Sequence, residues 1–212
     1  MEVGAEKRGI ITIAQGKKRY IDMAVNLAIS LKRVSPEIPL AVITDSTDEA
    51  LRKYFDVIIP VDPAYGIGLV QKLHIYDYSC FEETLFIDAD CLAVRPVEFL
   101  FDAFKDEEVC CIGHRRTGNK MFGMDVTDLM ARFELPYLIG HNGGVYYFKK
   151  GPAAKAIFDK AIELLPDYDK IGIERLRGSI NEEPLLALAM SMAGISPFDD
   201  KGEGNLVLPA TF

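Results

Sequence analysis

Thr84-Leu85-Phe86-Ile87-Asp88-Ala89-Asp90 runs from a short β-forming stretch straight into two acids. An apolar run with no alternation marks a strand buried on both faces, as in the middle of a parallel sheet. Before it, Ile10-Ile11-Thr12-Ile13-Ala14, Leu40-Ala41-Val42-Ile43-Thr44 and Val57-Ile58-Ile59 read as further strands. Between them lie helical patterns. One carries Ile21, Ala24, Val25, Ala28 and Leu31 on one face, a short one starts at Asp48, and a third runs from Leu69 to Tyr78. After the two acids, Val109–Ile112 and Val145–Phe148 are expected strands. Ala153–Leu165 and Glu182–Ala193 are expected helices. Strand–helix alternation predicts an α/β domain with a Rossmann-like, mostly parallel central sheet flanked by helices. The 212 residues fit one domain over 1–212.

In open α/β sheets, ligands bind beyond the carboxyl ends of the strands. That points to the loops 15–20, 45–47 and 88–90. The connection Gly113–Asn142 is long, with one clear helix at Val126–Phe133, and long connections in compact domains are often functional.

Apolar residues are 49% and charged residues 26% of the chain, and the net charge is −8. These values exclude a disordered, coiled-coil or collagen-like chain and argue against non-specific nucleic-acid binding. No stretch approaches the roughly 20 apolar residues of a membrane span, and Met1–Arg8 lacks an apolar signal core. Cys80, Cys91, Cys110 and Cys111 have no C-x-x-C spacing. Buried free thiols in a reducing, cytoplasmic compartment are expected.

Asp88 and Asp90 point to one side of extended chain. Carboxylates about 5 Å apart repel by roughly 3 kcal/mol at an effective dielectric near 20. Either one is protonated or a divalent cation sits between them. Hard oxygen ligands suit Mg²⁺ or Mn²⁺, which complete their shells with substrate phosphates. The plainer alternative is that both acids cap a turn. Haloacid-dehalogenase phosphatases carry D-x-D after the first strand of their domain, whereas here it follows about the fourth. Gly66-Ile67-Gly68 lacks a preceding strand and a third glycine, so it is no dinucleotide fingerprint.

Other blocks accompany the acids. Gln71-Lys72-Leu73-His74-Ile75-Tyr76 precedes Phe86–Val94; His141-Asn142-Gly143-Gly144-Val145 and Asn181-Glu182-Glu183-Pro184-Leu185-Leu186 follow; Thr12–Leu31 opens the series. In this order they resemble the glycogenin-like branch of retaining glycosyltransferases, over about residues 9 to 200. That branch has the GT-A fold and includes galactinol synthases and bacterial lipopolysaccharide glycosyltransferases.

The resemblance implies transfer of a hexose, glucose or galactose, from a UDP-sugar with retention, assisted by Mn²⁺ (or Mg²⁺). Asp88 and Asp90 would hold the metal, and Lys72 would lie near phosphate or sugar. Ala14, Gln15 and Tyr20 would cradle the uracil, the tyrosine by stacking. Asp45 would contact uridine, Ala89 the ribose, and Asn142 and Gly143 the donor sugar. Glu182 and Glu183 stand where the family has Asp-Gln. Glu182 would bind sugar hydroxyls, and Glu183 would support the oxocarbenium-like centre. The alternative for this segment is helix capping, with Asn181 as N-cap and the acids in the first turn.

The family's H-x-x-G-x-x-K-P-W block has no counterpart; the histidines are His74, His114 and His141. With Arg115, Arg116 and Lys120, the Gly113–Asn142 segment is the expected wall of the acceptor site. The resemblance leaves the acceptor open among a carbohydrate, a lipid-linked and a protein hydroxyl. A homodimer is compatible with the sequence. Two rivals remain: a phosphatase with Asp199-Asp200 as its distal acids, and a UDP-sugar-binding protein that has lost catalysis.

Overall fold

A computed structural model describes residues 7–199. The first half alternates β1 (Arg8–Ala14), α1 (Lys18–Val34), β2 (Leu40–Thr44), α2 (Glu49–Tyr54) and β3 (Val57–Pro60). A 3₁₀ turn at Gly68–His74 then leads through α3 (Ile75–Tyr78) into β4 (Glu83–Ile87). The second half holds α4 (Glu98–Phe104), β5 (Val109–Arg116), the short pair β6 (Lys120–Met121) and β7 (Met124–Asp125), and α5 (Val126–Arg132). It continues through β8 (Leu138–Lys149), α6 (Pro152–Leu164), α7 (Tyr168–Ile171) and α8 (Glu183–Met192).

Six strands form one sheet in the order β3-β2-β1-β4-β8-β5. β1 is parallel to β2 and β4, and β2 to β3. β8 runs antiparallel to both β4 and β5. The sheet divides two cores, which explains the unbroken apolar run in β4. Leu85 and Ile87 face one side with Ile10, Leu27 and Tyr147. Phe86 faces the other with Ile11, Tyr146, Phe148 and Leu185. α1 covers the first side; α6 and α8 cover the second.

Three sequence expectations are corrected. The Gly113–Asn142 connection is not an irregular loop. β5 extends to Arg116 and pairs with β8 from Leu138, and the β6–β7 hairpin and α5 fill the interval. The polar ends of both strands, such as His114-Arg115-Arg116, hid them from a search for apolar runs. The Leu69–Tyr78 helix is 3₁₀ over its first turns. Cys80 is exposed rather than buried, although all four thiols are free.

The β5–β8 ladder shifts register between Cys111 and Gly113. A Cβ at 113 would lie 2.9 Å from the His141 Cβ and closer still to the Gly140 carbonyl oxygen. Backbone cannot yield as a side chain does. Gly113→Ala is therefore expected to cost about 1–3 kcal/mol, read as a lower urea midpoint at unchanged slope.

Candidate active site

The ladder of β4 and β8 does not stop at Ile87. The Asp88 N–H donates to the Gly144 carbonyl at 2.9 Å, and the Cys91 N–H then closes a turn onto the Asp88 carbonyl at 3.0 Å. The first acid is thereby set at the carboxyl end of a central strand, beside Asn142–Gly144.

Lys72 reaches it from the 3₁₀ turn. Gln71, fully buried, anchors that turn: its amide donates to the Asp62 and Gly66 carbonyls at 2.9 and 2.7 Å and accepts from the Tyr78 hydroxyl. With Gln71 held by these partners, Lys72 turns to Asp88 at the end of β4. Its Nζ lies 2.7 and 2.8 Å from the two Asp88 oxygens and 3.2 Å from Glu182 Oε1. The side chains of Lys72 and Glu182 are 11% and 3% exposed, that of Asp88 27%. Glu182 Oε2 is buried without a partner.

Glu183 follows on the first turn of α8. Its Oε2 accepts from the Gly143 N–H at 3.0 Å. A Cβ at 143 would come within 3.1 Å of both that oxygen and the Tyr146 hydroxyl, so glycine here permits the approach of the carboxylate. The Asn142 side-chain oxygen accepts from the Gly144 N–H at 2.8 Å and stiffens the same turn.

One ammonium thus serves several acids. Burial opposes the Lys72 charge, but Asp88 and Glu182 outweigh it and hold the ammonium protonated. Burial raises the pKa of Asp88 and Glu182, with Lys72 opposing in each case. Glu183 is pushed up to about 7 by burial, against the Gly143 hydrogen bond and with help from the Glu182 charge. His141 is pushed down to about 4 by burial and is neutral near pH 7.

The remaining residues singled out in the sequence fall into place around this cluster. Asp90 is exposed, and its charge adds to the upward shift of Asp88; Ala89 between them is buried. Ala14 ends β1 and is buried. Gln15 donates to the Gly68 carbonyl at 3.0 Å, which ties the loop after β1 to the turn that carries Lys72. Both Asp45 oxygens accept from the Gly16 N–H, at 3.0 and 3.1 Å, so this carboxylate staples the same loop. Tyr20 is exposed; the Arg19 guanidinium lies 4.6 Å from its ring centroid and donates to its hydroxyl at 2.6 Å.

Asn181 does accept from the Glu183 N–H, at 3.3 Å. The Glu182 side chain caps nothing and goes to Lys72 instead. Helix capping therefore explains Asn181 but not Glu182. His141 Nε2 pairs with the Tyr146 hydroxyl at 2.8 Å. Asp200, one of the two acids of the phosphatase alternative, lies outside the described residues.

Two functional candidates had no signal in the sequence. Tyr146 sits in the register of β8 opposite Phe86, and its hydroxyl lies among His141, Glu182 and Glu183. Arg177 occupies a tight turn, with φ 52° there and 83° at Gly178, and the Ser179 N–H donates to the Leu176 carbonyl. Its charge reaches Tyr20. Both ends of the loop that carries it meet the Tyr168 hydroxyl, which donates to the Glu174 carbonyl at 3.1 Å and accepts from the Asn181 N–H at 3.0 Å.

Asp88 and Asp90 are hard-oxygen donors, and among the described residues no group of three or more His, Cys, Asp and Glu converges to cage an ion. Such a pair fits Mn²⁺ or Mg²⁺ only as an open site, completed by phosphate oxygens and water. The surplus of carboxylates over ammonium favours a cation at that place.

Solved structures match the fold. An active-site Gln-to-Glu mutant of LgtC superposes with TM-score 0.64 at 16% identity, over 89% of this chain and 72% of that one. The galactosyltransferase LgtC in complex with donor and acceptor sugar analogs gives 0.61 at 14% identity, with the same coverage. The chain has the fold of the glycogenin-like glycosyltransferases. In sequence, this glycosyltransferase-fold chain is 25% identical over 116 residues to galactinol synthase 2 of Arabidopsis thaliana, which is 47% of this chain and 35% of that protein. It therefore aligns with about a third of the length of that curated relative. No family model matches it.

Proposed function

We propose that the chain transfers a hexose from a UDP-sugar to an acceptor hydroxyl with retention of configuration. The observation that carries this reading is the cluster of Lys72, Asp88, Glu182 and Glu183 at the carboxyl end of the central strand. Asp88 and Asp90 would hold Mn²⁺ or Mg²⁺, which when bound supplies Lewis-acid neutralisation of the leaving diphosphate. Lys72 adds a fixed, buried positive charge beside that position. The loop of Ala14, Gln15 and Tyr20, stapled by Asp45, takes the uridine; Ala89 offers backbone to the ribose.

Glu182 is the acceptor for sugar hydroxyls, since one of its oxygens is buried and unpartnered. Glu183, steadied by the Gly143 N–H, stands beneath the anomeric carbon with Asn142 at its side. A carboxylate there can support or trap an oxocarbenium-like centre, as in retaining glycosidases. A cytoplasmic setting belongs to the same proposal. Among the described residues no helix is long and apolar enough to cross a membrane.

Calorimetry of UDP binding with and without Mn²⁺ tests the reading. Wild type is expected to bind UDP in a metal-dependent way. Asp88→Asn combined with Asp90→Asn is expected to abolish the metal dependence. Equal binding by the double variant and wild type in Mn²⁺ would overturn the assignment.

A further inference from the structure

A cavity of about 480 Å³ opens next to Glu183, walled by β5, the β6–β7 hairpin and the start of β8. The three cations expected to line an acceptor site behave differently there. Arg115 turns away, 4.5 Å from the Tyr137 ring centroid and bonded to Ser196 at 3.1 Å. Lys120 is exposed on β6 and does not line the cavity. Arg116 does, together with His114 two residues before it on the same strand face.

Among the described arginines, Arg116 is the one whose guanidinium has a buried nitrogen left without a partner. Its Nε is buried without a hydrogen-bond partner, and among the described residues it makes no ion pair. A guanidinium carries five donors and cannot shed its charge, so leaving it half-buried and unmatched is costly. The fold makes room for it in that position. A Cβ at Gly140, on the neighbouring strand, would lie 2.5 Å from Arg116 Nε. The other cavity-lining ionisable groups do not answer it. Glu183 is committed to Gly143, His114 and His141 are not anions, and Asp199 has an interaction of its own. Met121 and Phe122 give the opposite wall an apolar face.

We infer that the acceptor is an anionic sugar, one whose carboxylate or phosphate is taken by the Arg116 guanidinium while a hydroxyl faces Glu183. The planar fork of arginine matches both oxyanions in a bidentate manner. The apolar wall suits the face of a pyranose ring. This inference rests on the glycosyltransferase reading for the role of the cavity, but not for its preference for anions.

Competition calorimetry with the full chain separates the two. UDP with Mn²⁺ is titrated first. Glucose, glucuronate and glucose 6-phosphate are then titrated into the free and the UDP-loaded protein. The expected result is at least about tenfold tighter binding of one anionic sugar than of glucose. That preference is expected to vanish in Arg116→Gln, to survive in part in Arg116→Lys, and to weaken in Gly140→Ala, with UDP affinity unchanged in Arg116→Gln. Preference for glucuronate identifies a carboxylate acceptor, and preference for glucose 6-phosphate a phosphorylated one. Equal binding of all three sugars, no binding of either anion at millimolar concentration, or a preference intact in Arg116→Gln would overturn the inference. Failure to bind UDP alone would count against the donor site and leave the anion result standing.

Discussion

Lys72→Met is expected to lower the stability of the protein at pH 7.5 by about 3–5 kcal/mol, the usual cost of removing one partner of a buried ion pair. The ammonium is the counter-charge for both Asp88 and Glu182, whose carboxylates lie within 3.2 Å of it. Methionine fills a similar volume, so the loss is electrostatic rather than a cavity effect. Without Lys72, both acids escape the penalty by taking protons, because burial already raises their pKa. The defect should therefore shrink as the pH is lowered toward 5. Adding Glu182→Gln should restore part of the loss at pH 7.5. Urea denaturation of the three proteins at both pH values checks this. A loss below about 1 kcal/mol, the range of exposed pairs, would mean that water reaches the cluster freely.

Glu183→Gln is expected to move stability and turnover in opposite directions. Burial pushes the Glu183 carboxyl up to about 7, above its ordinary value near 4.5. Its proton is held more tightly in the folded state, so the associated stability is complete below about 4.5 and is lost as the pH rises through 7. A glutamine does not titrate. The variant should be about 1–3 kcal/mol more stable than wild type at pH 8, with a flatter profile between pH 4.5 and 7. Transfer from a UDP-sugar should fall severalfold without vanishing, since an amide supports a developing cation less well than a carboxylate yet is the residue that the resembled family carries there. In wild type, the rate should rise through about pH 7 as Glu183 ionises. Full transfer activity in Glu183→Gln would remove the residue from the proposed chemistry. Unchanged stability at pH 8 would instead refute the account of its burial.

The parallel half of the sheet was legible because each strand there is an uninterrupted apolar run closed by polar loop residues. β4 is the clearest case, since its two faces feed two cores. The antiparallel half was less so. β5 and β8 extend through His114–Arg116 and Gly140–Asn142, where His114, Arg116, His141 and Asn142 line a cavity instead of a core, and apolar periodicity has nothing to report there. The acids of the site were visible as spacing along the chain. Their partners were not, because Lys72 meets Asp88 across 16 residues and Glu182 across 110. Tyr146 looks like one more aromatic of a buried strand, and only the register opposite Phe86 brings its hydroxyl to Glu182 and Glu183. Arg116 was visible as a cation but not as an unpaired one, since pairing is a property of the fold.

The Tyr168 hydroxyl has one further consequence. By receiving the Asn181 N–H and donating to the Glu174 carbonyl, it closes the six-residue excursion between them with a single oxygen. With Arg175 also tied to Asp169, the base of this loop has little freedom to slide, and the freedom that is left is a pivot of the tip. Its tip, with Arg177, can swing over the uridine loop without disturbing Glu182 and Glu183 beyond the pin. Amide exchange would register this as slow at Asn181 and fast at Arg177 and Gly178. Tyr168→Phe would erase the contrast while leaving the ring in the core.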